Sequence, residues 1–238
     1  MMMKMGLQPG DAIRHPWMTK AVERAQKRVE EHNFEIRKNL IKYDEVMNQQ
    51  REVIYSYRRS VLKGYSLKNE VKEMIQETVL SVIANHVSKG SYVEDWNLER
   101  LCYWFKANFN LQITPEDLNP KSLDYDVLEE RLLAICMQAY ENKELNVGEE
   151  MLRDIERRSM LEVVDNQWRD HLHEMDMLKE AVYLRSYANK DPLIEYKRES
   201  FELFQELISR IQEGVSRKVF TTYFLTQAQV ESLLQQAN

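Results

Sequence analysis

The chain has 238 residues, of which 43% are apolar, 30% charged and 10% aromatic, enough to bury the core of one or two domains and far from the composition of disordered chains. Six Gly and five Pro are too few for the turns of a β-sandwich or the phosphate loops of a dinucleotide fold, so an all-α chain is expected. The net charge of −6 is unevenly placed: residues 14–63 carry 12 basic and 7 acidic side chains, residues 64–148 carry 8 and 14, and residues 149–224 carry 12 and 16.

In chain order, the first element lies between Pro16 and Gly64, 47 residues without Gly or Pro. Pro16, Thr19 and Glu23 give its helix-start signal. Apolar positions Ile36, Leu40, Tyr43 and Met47, then polar Gln50, then Ile54, Tyr57 and Val61 alternate steps of four and three, a heptad stripe. A helix of about 43 residues would measure about 65 Å, longer than a compact domain is wide, so its outer turns need partners. Residues 65–148 read as a small separate helical lobe of shorter elements. Ser66 is expected to cap a helix through about Val87, Asp95 one through about Phe109 and Ser122 one through about Leu145. Trp96, Tyr103, Trp104, Phe105 and Phe109 are assigned to its core. From Glu149 to Asp191 a further helix carries Leu161, Val164, Trp168, Leu172, Met175, Leu178 and Val182 on one face. The Asn189-Lys190-Asp191-Pro192 run ends it and starts the next, striped by Ile194, Phe201, Phe204, Ile208, Ile211 and Val215. About five connecting residues force the two helices back antiparallel, a hairpin with an exposed tip.

Cys102 and Cys136, 34 residues apart and in no metal or redox spacing, read as buried thiols of a reducing compartment, the cytoplasm. No apolar run reaches the roughly 18–20 residues of a membrane span, and Met-Met-Met-Lys-Met-Gly is no secretory start, so membrane association is expected to be peripheral. No phosphate loop, dinucleotide fingerprint or nucleophile elbow is present. His171 and His173 stand two apart and point about 200° apart on a helix, which does not make a zinc site; no metal and no catalytic residue is assigned. Glu129-Glu130 and Glu149-Glu150 read as solvated faces. The basic residues Arg24, Lys27, Arg28, Arg37, Lys38 and Lys42 are interleaved with Glu23, Glu30, Glu31 and Glu35, so no nucleic-acid partner is expected. At the hairpin tip, Tyr183 to Pro192 bring two tyrosines and two basic residues to the turn. An exposed Tyr187 would grip varied polypeptide through ring and hydroxyl; alternatively it packs beneath the turn as a local staple.

His15-Pro16-Trp17, Asn33-Phe34-Glu35-Ile36-Arg37-Lys38, Tyr43-Asp44-Glu45-Val46-Met47-Asn48-Gln49-Gln50-Arg51 and, above all, Trp168 through Phe204 closely resemble the C-terminal third of SecA-family proteins, the ATP-driven motor subunits of the bacterial preprotein translocase. Leu184 through Pro192, followed by Glu195-Tyr196-Lys197-Arg198-Glu199-Ser200-Phe201, is too long and non-repetitive for chance similarity between helices. The resemblance implies an architecture: residues 1–13 as a remnant of the second motor domain, 14–64 as the long scaffold helix, 65–148 as the helical wing, 149–224 as a two-helix finger and 225–238 as a C-terminal linker.

It also implies a role. In the family the finger reaches into the mouth of the SecYEG channel, and its tip tyrosine, matched by Tyr187, contacts unfolded preprotein. Arg185, Asn189 and Lys190 are the accompanying tip candidates, and Arg37 a docking candidate on the scaffold. Both nucleotide-binding domains, the preprotein-crosslinking domain and the zinc tail have no counterpart here. ATP and Mg are therefore expected in motor domains outside this chain, in cis in a parent protein or supplied in trans, and no ATP hydrolysis by the chain alone. Expected partners are SecYEG, preprotein, the motor domains and, peripherally, an anionic membrane surface at the inner face of the plasma membrane, with a homodimer through the uncovered scaffold stripe as a further outcome. The alternative is a structural helical adaptor that oligomerises through its heptad helix.

Overall fold

The computed structural model describes residues 16–64, 67–90, 92–118, 124–185 and 191–223, the side chains of 183–185 excepted. These residues form six α-helices and, among them, no strand: α1 (Pro16–Lys63), α2 (Leu67–His86), α3 (Leu98–Phe109), α4 (Tyr125–Val147), α5 (Glu149–Arg185) and α6 (Pro192–Thr221), with a short 3₁₀ turn at Val93–Asp95. The all-α expectation holds. Two compact units divide between Gln49 and Gln50, inside α1.

In the first unit, residues 16–41 of α1 are exposed throughout, including the stripe members Ile36 at 45% and Leu40 at 49%. Pro16 supplies the helical φ at the first position, and no later Gly or Pro interrupts the run. This stretch keeps the heptad pattern without a covered face.

In the second unit the stripe is covered: Gln50, Ile54 and Val61 are buried and Tyr57 half-buried. This end of α1 runs antiparallel to α5. Gln50 meets His171, Tyr55 lies edge-on to Trp168 at 6.4 Å, and Arg58 grips Asp165 at 2.9 and 3.2 Å, so the partner retreats along α5 as α1 advances. α5 and α6 fold back on each other as expected, with Glu174 to Arg210 at 2.8 Å and Glu162 to Lys218 at 2.5 Å. The helices between them pack onto the far half of α6: Thr78 of α2 lies 3.3 Å from Ser216, and Phe109 of α3 stacks on Phe220 at 4.4 Å.

Several local expectations need correction. Asp95 sits in the 3₁₀ turn and caps nothing; Asn97 caps α3, accepting from Arg100 N–H at 3.0 Å. α4 is capped by Asp124, accepting from Val127 N–H at 2.8 Å, and runs to Val147; Ser66 and Ser122 lie outside the described residues. On α6 the stripe is rotated: Tyr196, Ser200, Leu207, Ile211 and Val215 are buried, whereas Ile194 is 64% and Phe201 60% exposed. On α5 His171 takes the inward place assigned to Leu172, which with Leu161 is half-buried. Size and apolarity drew the stripe toward the larger residues, but close helix approach favours the small ones, Ser200, Gly214 and Ser216. Of the five aromatics assigned to the lobe core, Trp96, Phe105 and Phe109 are buried, Trp104 is half-buried and Tyr103 is exposed. Both cysteines are free and buried.

Candidate functional site

The hairpin end is built by its caps. Asp191 accepts from Leu193 N–H at 2.9 Å, and Pro192 occupies the first turn of α6, where its missing N–H costs no helical hydrogen bond. Val182 and Tyr196, near the two helix ends, are buried and anchor the stems. Arg185 is the last residue of α5, its side chain outside the description. Tyr187, Asn189 and Lys190 lie in the connection outside the described residues. Arg37 is exposed on α1 and belongs to the other compact unit.

The stems pack closely. A Cβ at Gly214 would stand 2.9 Å from Val163 Cγ1, so α6 crosses α5 where only glycine gives room. His171 also meets the Phe204 ring edge-on at 5.9 Å.

Beside this hairpin a polar layer joins three helices. Gln50 Nε2 donates to the Ser200 carbonyl at 3.1 Å, which leaves Gln50 Oε1 as the acceptor for His171 Nε2, 2.9 Å away. The imidazole is therefore the Nε2–H tautomer. Burial holds its pKa below the ordinary histidine range; Glu174, 3.8 Å from Nδ1, opposes the shift and Arg210 adds to it. His173, by contrast, is exposed, so the two histidines do not share a site. Gln50 was visible in the sequence as the polar break of the α1 stripe; its partners were not.

Two further joints escaped sequence reasoning. Tyr140 of α4 donates to fully buried Glu156 of α5 at 2.6 Å, and Arg153 reaches Glu156 at 3.0 Å, the Tyr140 hydroxyl at 2.9 Å and Glu144 at 2.8 Å. Lys143 of α4 donates to the carbonyls of Val219, Phe220 and Thr222 at 2.5, 3.0 and 2.7 Å and lies over the Tyr223 ring at 4.1 Å. Its ammonium thus fills the carbonyl-rich end of α6, where a cation is favoured. Burial lowers its pKa to about 8, leaving it charged at neutral pH.

Comparison with known proteins places this helical arrangement. The family model described as the SecA Wing and Scaffold domain matches residues 12–223. The chain belongs to the SecA wing and scaffold family. It is 42% identical over 214 residues to protein translocase subunit SecA 1 of Magnetococcus marinus, covering 90% of this chain and 24% of that protein. It is 41% identical over 235 residues to protein translocase subunit SecA of Syntrophobacter fumaroxidans, covering 98% and 28%. With the SecA subunit of Carboxydothermus hydrogenoformans the identity is 44% over 219 residues, covering 91% and 25%. The chain thus spans about a quarter of the length of these SecA relatives.

One first-turn amide of each of α3, α4 and α6 is capped, by Asn97, Asp124 and Asp191 respectively. Among the described residues no group of three or more His, Cys, Asp or Glu side chains is placed to hold a metal ion. No described helix is long and apolar enough to cross a membrane.

Proposed function

We propose that this chain is the scaffold, wing and two-helix finger of a Sec preprotein translocase, passing movement from a nucleotide-driven motor to unfolded preprotein at the SecYEG channel. In this reading α1 is the scaffold helix, α2 to α4 form the wing and α5 with α6 forms the finger. Tyr187, flanked by Arg185, Asn189 and Lys190, touches preprotein or channel, and Arg37 docks on the scaffold side. ATP and Mg act in parts of the relatives' length that this chain does not span. The reading also places the protein on the cytoplasmic side, held peripherally at the membrane through the channel and anionic lipid.

The observation that carries it is the antiparallel α5–α6 hairpin, capped by Asp191 and Pro192 within a family match over residues 12–223. The test is site-specific crosslinking from Tyr187→Cys, with Cys102 and Cys136 replaced by Ala, to channel and stalled preprotein, with motor domains supplied in one arm and withheld in the other. Crosslinks at 187 and none from an α1 control are expected; a folded protein that stays unlinked in both arms refutes the reading.

A second reading, an adaptor that dimerises through α1, draws on the uncovered Ile36 and Leu40. Sedimentation with translocon-containing membranes separates the two. The adaptor stays in the supernatant as a dimer, and the finger module pellets.

A further inference from the structure

We propose that Gln50, His171 and Ser200 form a register latch, a single polar layer that sets the axial position of the C-terminal part of α1 against the α5–α6 hairpin. The need for such a device follows from the stripes. On α5, the buried residues Val164, Trp168, His171, Met175, Leu178 and Val182 advance by alternating steps of four and three. On α1, Gln50, Ile54, Tyr57 and Val61 do the same. Heptad seams of apolar residues look nearly the same after an axial displacement of one turn, so apolar contact alone defines the register weakly.

α1 and α5 break their inward faces with Gln50 and His171, and α6 meets them with the backbone carbonyl of Ser200, whose hydroxyl turns back to the Lys197 carbonyl at 3.0 Å. Gln50 Nε2 takes a lone pair of the Ser200 carbonyl, and its Oε1 takes the His171 Nε2–H, so both ends of one amide are committed to two different helices. Gln50 is 7% exposed, His171 and Ser200 not at all. A step of one turn in α1 would bring Ile54 to this layer, leaving a buried imidazole N–H without an acceptor. The native register gives the Gln50 amide and the His171 Nε2–H their partners, while His171 Nδ1, also buried, has no hydrogen-bond partner. Neither the bidentate Arg58–Asp165 pair nor the Tyr55–Trp168 contact imposes the same penalty: Arg58 and Asp165 are 41% and 47% exposed, so water can replace a partner, and the Tyr55–Trp168 contact is one between rings, with Tyr55 half exposed.

The latch is a property of three helices in this chain and does not rest on the translocation reading. If that reading holds, Gln50 is where scaffold movement is handed to the finger; the test below uses the chain alone, so either proposal can fail without the other.

Spin labels at Ser56→Cys on α1 and Glu180→Cys on α5, both exposed and offset along the helices, report axial displacement as a change in distance. Cys102 and Cys136 are replaced by Ala. The parent is expected to give one narrow distance distribution. The double variant Gln50→Leu with His171→Leu removes both polar partners and keeps apolar volume. It is expected to remain helical and to melt cooperatively while gaining a second population displaced by about 5 Å, one helical turn. His171→Gln retains an amide donor within reach of Gln50 and is expected to restore the single distribution. A folded double variant with an unchanged distribution overturns the latch. Should that variant not fold, Gln50→Met is read in the same way: a second population supports the latch, and an unchanged one overturns it.

Discussion

Tyr140 donates its hydroxyl hydrogen to Glu156 at 2.6 Å, tying the body of α4 to the first turns of α5. Between the two helices stands Gly148, whose φ of 88° ends α4 and turns the chain within one residue. A one-residue elbow leaves the angle between helices to whatever bridges them, and here that is a buried carboxylate shared by a phenol and Arg153. Burial raises the pKa of Glu156 even though Tyr140 and Arg153 favour its charged form. Buried charge of this kind adds little net stability against an apolar replacement, but breaking it is costly.

Tyr140→Phe keeps the ring and removes only the donor. The expected outcome is a loss of about 1–3 kcal/mol, measured by urea unfolding. An unchanged midpoint would mean that the hydroxyl does not hold the elbow.

Lys143 makes an analogous joint one turn further along the same helix, where it donates to three carbonyls at the end of α6. Lys143→Met preserves the stem and abolishes all three bonds. Stability should fall by about 2 kcal/mol or more, and hydrogen exchange should quicken selectively in the last turn of α6. Uniform protection there would refute the role of the ammonium as a cap.

Gly214 lies where α6 crosses Val163. Alanine is the better helix former by about 1 kcal/mol, so intrinsic propensity alone predicts a gain. The 2.9 Å approach to Val163 Cγ1 reverses that. Gly214→Ala should destabilise the protein by about 1–3 kcal/mol through overpacking, and adding Val163→Ala should recover part of the loss. Thermal melts of the two single variants and the double complete the cycle.

Ile194 and Phe201 make the opposite case. Their spacing places them on an apolar stripe, yet both are mostly exposed. Ile194→Ser and Phe201→Ser should each shift stability by about 0.5 kcal/mol or less. A loss of several kcal/mol would show that this face is covered.

These residues show where sequence patterning carries information and where it stops. The extent of α1 was readable because no Gly or Pro follows Pro16 until Gly64, and the start of α6 because Asp191-Pro192 is a cap with a preset φ. The turn between α5 and α6 was readable from its length alone. Which face of α6 is buried was not, because periodicity weights large apolar side chains. The crossing instead selects Ser200, Gly214 and Ser216, which let backbones approach. The polar joints were illegible for another reason. Gln50 announces itself as a break in a stripe, but its partners lie 121 and 150 residues away, and pairing across such separations is a property of the folded chain. Lys143 and Glu156 look in sequence like two more charges on solvated helices. The finger-tip candidates rest on family resemblance, since Tyr187, Asn189 and Lys190 lie between α5 and α6, outside the described residues, and of Arg185 only the backbone is described.

His171 gives the protein a pH dependence with a definite sign. Burial depresses its folded pKa, and the ordinary value near 6.5 is restored on unfolding. Between those two values the unfolded chain binds more protons than the folded one, so stability falls as pH drops through that window. The contribution is present above about pH 6.5 and is lost progressively below it. Glu174 at 3.8 Å and Arg210 beside it modulate the window in opposite directions. Urea midpoints measured from pH 7.5 downward should fall more steeply for the parent than for His171→Gln, which has no titrating group at that position. Arg210→Gln removes a cation that lowers the pKa, so its window should narrow from the acid side. Parallel midpoint profiles for the parent and His171→Gln would show that the imidazole titrates alike in both states, and the buried layer would then have to be open to water.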